Sequence, residues 1–121
     1  MRKLVLGSLV AIMTGGAALA GPWEDGMAAY NRGDYVPAIQ VFRGMAKAGN
    51  AKAQMMMGSM YQRGQGVAKS SAHAFMWLTF AASRGDTQAK AELKIVEASM
   101  TPSDMSQART MMQACEASDY R

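Results

Sequence analysis

The chain has 121 residues, half of them hydrophobic and 18% charged, with a formal net charge of +4, thirteen methionines and one cysteine. That length suits one small domain with a modest core. A single cysteine excludes an intrachain disulfide, and the lack of dense basic clusters with stacked aromatics argues against nucleic acid as a partner.

Residues 1–20, MRKLVLGSLVAIMTGGAALA, place Arg2 and Lys3 ahead of an apolar run from Leu4 to Met13, then Gly15-Gly16 and the small-residue site Ala18-Leu19-Ala20. This order reads as a secretory signal peptide; an uncleaved N-terminal anchor is the alternative. The run is shorter than the roughly 20 residues that span a bilayer, and no cysteine follows the cleavage site to accept a lipid. The expectation is therefore an exported chain, periplasmic or extracellular, that meets the membrane only during export. Without these residues eleven Lys and Arg stand against nine Asp and Glu, a net charge of +2.

From residue 21 onward the pattern is helical. Tyr35, Ile39, Phe42 and Met45/Ala46 recur at the spacing of one helix face; Ala53, Met57, Met60 and Tyr61 make a second, and Ala74, Trp77, Leu78, Ala81 and Ala82 a third. No stretch sustains the period-2 alternation of a strand. Breakers separate the faces at Gly33, Gly49, Gly64 with Gly66, and Gly85, followed by Asp34, Asn50, Ser70 and Asp86, residue types that cap the next helix. Pro37 falls in a first turn, where its missing N–H has no intrahelical partner to lose. Thr101, Pro102 and Asp104 have the order of a capping box opening a last helix that runs to about Ala117. Six helices result. Arg-Gly-Asp occurs at 32–34 and again at 84–86, and both copies read as turn punctuation rather than adhesion ligands, because each falls at a helix terminus.

An internal repeat organises these helices. Gly49-Asn50-Ala51-Lys52-Ala53 recurs as Gly85-Asp86-Thr87-Gln88-Ala89 at an offset of 36, and Ala29-Tyr30-Asn31-Arg32-Gly33 recurs as Met60-Tyr61-Gln62-Arg63-Gly64 at an offset of 31. The difference falls in the longer loop 65–70. Helix pairs repeating at about 34–36 residues cannot bury their apolar faces alone, so they stack into an α-solenoid. The fold class is all-α, a short solenoid of antiparallel pairs.

Residues 49–85 resemble a Sel-1-like repeat, a relative of the tetratricopeptide repeat, with the pattern A-x-A-Q-x-x-L-G-x-x-Y-x-x-G-x-G-V followed by A-x-x-W and AA-x-x-G. Ala51, Ala53, Gln54, Gly58, Tyr61, Gly64, Gly66, Val67, Ala74, Trp77, Ala81, Ala82 and Gly85 occupy its positions. Met57 stands where Leu is usual, and Ser70 where Asp is usual. Residues 21–48 look like a degenerate tetratricopeptide-type pair, and 86–121 like a partial repeat with a closing helix. The same residues make physical sense unaided: Gly58 and the alanines let helices approach, Tyr61 and Trp77 fill the wedge between them, and Val67 plugs the loop.

The resemblance implies a protein-interaction module with no cofactor, in which the first helix of each pair lines a concave groove. That assigns a binding surface around Tyr30, Lys52, Gln54, Met55, Ser59, Gln62 and Arg63. From Tyr35 to Gly85 the chain carries Arg43, Lys47, Lys52, Arg63, Lys69 and Arg84 and no acidic residue. The expected partner is thus an acidic or amphipathic segment of an envelope protein, or an anionic envelope polymer. A homodimer that completes the solenoid is a further option.

Two other chemistries arise from the residues. Met56, Met60, His73 and Met76 supply thioethers and an imidazole suited to a cuprous ion, with adaptable core packing as the competing role. Catalysis has little to build on, with one histidine and one cysteine and no acid pair on one helix face. A link to β-lactams, known for cysteine-rich Sel-1-like arrays, lacks its cysteine pairs here. Cys115 lies on the apolar spacing Met105, Ala108, Met112, Cys115 and reads as a buried thiol, or else as an intermolecular bridge.

Overall fold

A computed structural model describes residues 21–117, so the signal-peptide reading of residues 1–20 lies outside the described residues. Six helices follow one another: α1 Pro22–Asn31, α2 Tyr35–Lys47, α3 Ala51–Arg63, α4 Ser71–Ser83, α5 Thr87–Ser99 and α6 Pro102–Ala117. No strand occurs among the described residues. Each of the first four helices packs on the next, α3 also touches α5, and α6 packs on α4. This pairing of neighbours plus alternate helices is the contact pattern of a short solenoid.

The helix boundaries follow from side-chain chemistry. Asn50 Oδ1 accepts from Ala53 N at 2.9 Å and Asp86 Oδ1 from Ala89 N at 2.8 Å, satisfying donors that the first turns of α3 and α5 leave open. Ser70 Oγ does the same for His73 N at 3.2 Å. Thr101 and Asp104 form the expected reciprocal box: Thr101 Oγ1 accepts from Asp104 N at 3.0 Å and Asp104 Oδ2 from Thr101 N at 2.9 Å. Asp34 departs from expectation. It makes no side-chain cap, because its carboxylate turns back to accept from Arg32 Nε at 3.1 Å. The first Arg-Gly-Asp is therefore a local ion pair across a turn, and the second ends in the Asp86 cap.

Packing centres on α3 and α4. Phe42, Ile39, Met57, Met60, Leu78 and Val96 are the largest fully buried side chains, each worth roughly 1.5–3 kcal/mol of transfer free energy. Ala53, Ala74 and Ala81 are fully buried, and Trp77 is nearly so, with its ring edge-on to Phe80 at 5.9 Å. At Gly58 α3 and α4 leave no room for a side chain: a Cβ there would stand 2.5 Å from Leu78 Cγ and 3.2 Å from Ala74 O.

The loop between α3 and α4 is tied to the preceding pair. Gly64 ends α3 at φ 69° and Gly66 has φ 76°. A Cβ on Gly66 would lie 2.6 Å from Tyr35 O, so this position needs glycine for both its conformation and its clearance. Val67 is half-buried against the core, as its plugging role requires.

Candidate functional site

The sequence assigns the groove to one stripe of α3, and the structure divides that stripe. Lys52, Met55, Met56, Ser59 and Arg63 recur at helical spacing, which places them along one side of the helix. Lys52 and Arg63 are exposed at its two ends, about 16 Å apart at 1.5 Å per residue. Between them the stripe is covered. Gln54, Met55 and Ser59 are only 2%, 5% and 3% exposed, so they do not form the open floor that the groove reading gave them.

The cause of this correction is α5, which packs over α3. Ser59 Oγ donates to Glu92 Oε2 of α5, whose other oxygen accepts from Gln88 Nε2 at 2.9 Å. Met55 Sδ lies 3.7 Å from the same hydroxyl. On the other side, Gln54 Nε2 donates to Ala46 O at 3.1 Å and fastens α3 to α2. These three side chains hold neighbouring helices in register. Glu92 was not foreseen; the spacing of Gln88 and Glu92 as i, i+4 on one face was its only signal.

The accessible part of the site is the C-terminal end of α3 beside the end of α1. Arg63 Nη1 donates to Tyr30 OH at 3.4 Å, and Tyr30 OH donates to Gln65 Oε1 at 3.3 Å. Both bonds are long, so the chain of contacts is adjustable. The Tyr30 ring meets Tyr35 edge-on at 5.3 Å. Gln62 is half-buried beside them in sequence. An exposed guanidinium, a phenol hydroxyl and an amide thus converge from α1, α3 and the loop after α3, a set that can donate to a carboxylate. The wider basic belt does not gather here. Lys47, Lys52 and Arg84 lie at the turns joining α2 to α3 and α4 to α5, at the other end of the bundle from Arg63 and Lys69.

The proposed metal set is also divided. His73 stacks on Tyr61 with ring centroids 4.6 Å apart and its Nδ1 lies 2.8 Å from Ser70 Oγ. In the neutral tautomer protonated at Nε2, Nδ1 accepts the Ser70 hydroxyl proton while Ser70 Oγ accepts the His73 backbone N–H. Burial pushes the His73 pKa below its ordinary value, which agrees with a neutral ring. Met56 and Met60 are buried in the core, and Met76 turns its sulfur to Cys115 of α6 at 3.9 Å. Met76 therefore belongs with the last helix rather than with His73. Cys115 itself is half-buried, not fully so, and burial together with the Glu116 charge raises its pKa. Among the described residues no three His, Cys, Asp or Glu side chains cluster.

One surface went unforeseen. Ile95 of α5 is 62% exposed and shares its face with exposed Ala91 and Ala98.

The profile of the Sel1 repeat matches residues 51–86, from the first residue of α3 to the cap of α5. No curated protein matches the chain. Sel1 repeats are protein-interaction units, and here the matched segment is the α3–α4 pair around which the other helices are built. The chain therefore contains one Sel1 repeat, residues 51–86, carried by the stacked α3–α4 pair.

Proposed function

We propose that the chain is an exported interaction module that binds an acidic or amphipathic segment of an envelope protein at the Tyr30–Arg63 end of the solenoid. The observation that carries this reading is the exposed Arg63 guanidinium, which bonds Tyr30 across the gap from α3 to α1. Arg63 has no carboxylate within salt-bridge distance among the described residues, where the ion pair is Arg32 with Asp34. A carboxylate of a partner would meet a charged donor beside an aromatic face, a combination suited to a recognition anchor. The twenty-residue leader pattern, with its basic head and small-residue site, supports export. The covered middle of α3 leaves no continuous channel along that helix, so the partner contacts an end of the bundle.

The test is capture from envelope extract by immobilised chain, in parallel with Arg63→Glu and Lys52→Glu variants. The reading expects a partner whose capture fails with Arg63→Glu, weakens as salt screens the charge, and changes little with Lys52→Glu. Capture indifferent to both Arg63→Glu and salt would overturn it.

A further inference from the structure

We propose that Met76 and Cys115 form the core of a cuprous-ion site between α4 and α6, completed by a thioether from Met111 or Met112. Cys115 Sγ and Met76 Sδ stand 3.9 Å apart although 39 residues separate them in the chain. If metal–sulfur bonds are near the roughly 2.3 Å of a zinc thiolate, an ion bridging sulfurs this far apart subtends an angle of about 116°, between the tetrahedral and trigonal values. The pair therefore needs little rearrangement to share one ion.

The surroundings supply further donors of the same kind. Met111 and Met112 precede Cys115 by four and three residues, so they lie one turn away on its side of α6. Both are partly buried and pack against the core. Met76 is 5% exposed while Cys115 is half-buried, which gives the site a fixed inner donor and an outer donor that solvent can reach. Thiolate and thioether donors select cuprous copper over harder cations. On binding, the Cys115 thiol releases its proton to solvent and the thiolate sulfur forms the metal bond; supplied as the cuprous ion, the metal changes no oxidation state. The set excludes Met56, Met60 and His73 and does not depend on the interaction reading above.

The test is an anaerobic titration in which purified chain competes for Cu(I) with a coloured cuprous chelator. The expected result is one equivalent of Cu(I) withdrawn from the chelator, with affinity reduced at least tenfold by Cys115→Ser and by Met76→Leu and unchanged by Met56→Leu. Circular dichroism and thermal melting check that each variant is folded; Met76→Leu conserves volume. A second readout uses the wild-type thiol: Cu(I) should protect Cys115 from iodoacetamide, and Met76→Leu should abolish that protection. No withdrawal of Cu(I), or binding and protection untouched by Met76→Leu, would overturn the site.

Discussion

Gly58 of α3 faces Leu78 of α4 so closely that a Cβ at position 58 would come within 2.5 Å of Leu78 Cγ and 2.7 Å of its Cδ2. The contact lies at the centre of the matched repeat, and α3 and α4 share the core residues Met57, Met60 and Leu78. Gly58→Ala trades a gain in helix propensity for overpacking, and the backbone oxygen of Ala74 blocks one direction of escape. The expected loss is about 1–3 kcal/mol, read as a fall in Tm of roughly 4–8 °C per kcal/mol for a domain of this size. Adding Leu78→Ala to Gly58→Ala should show a favourable coupling, since the truncated side chain removes the clash. A Gly58→Leu variant melting like the wild type would contradict this packing.

The helix caps separate by position. Asn50→Ala and Asp86→Ala each remove a side-chain acceptor from a helix start and should cost about 1 kcal/mol. Asp34→Ala removes only an ion pair whose side chains are 62% and 55% exposed, and such pairs contribute little. Denaturant unfolding of the three variants checks the ranking; equal losses would mean that Asp34 caps α2 in solution.

Much of this architecture was legible in the sequence because its signals are local. Apolar spacing and Gly-Asx punctuation marked the helices, and the caps at Asn50, Ser70, Asp86 and Thr101 need only the residue and its own helix. Asp34 has the same signal, but Arg32 two residues earlier competes for the carboxylate, and no spacing rule weighs that competition. The site was less legible. Burial of Gln54, Met55 and Ser59 depends on where α5 comes to rest, and the Met76–Cys115 contact depends on α6 docking on α4. Helical periodicity says which face a side chain occupies; it does not say what covers that face. Even so, Tyr30 and Arg63, whose neighbours repeat as Ala-Tyr-Asn-Arg-Gly and Met-Tyr-Gln-Arg-Gly, do meet across the gap between α1 and α3.

His73 gives the fold a pH dependence of defined sign. Burial lowers its folded pKa below the ordinary 6.5, so the unfolded chain takes up a proton more readily than the native one. The contribution to stability is complete above about pH 6.5 and is lost as the pH falls below that value toward the folded pKa. Protonation would also leave Nδ1 able only to donate to Ser70 Oγ. Replacing His73 by Gln should flatten the change in Tm between about pH 7.5 and about pH 5.5, a window in which most carboxylates stay ionised. An identical slope in both proteins would place the dependence elsewhere.

The central claim is that the partner docks at the Tyr30–Arg63 end, and a photo-crosslinking amino acid tests it directly. Introduced at Gln62, beside Arg63, it should crosslink the captured partner, and adding Arg63→Glu should abolish the crosslink. Introduced at Ile95, on the exposed face of α5, it should give none. Crosslinking of the partner from Ile95 and not from Gln62 would contradict the account and move the interaction surface to α5.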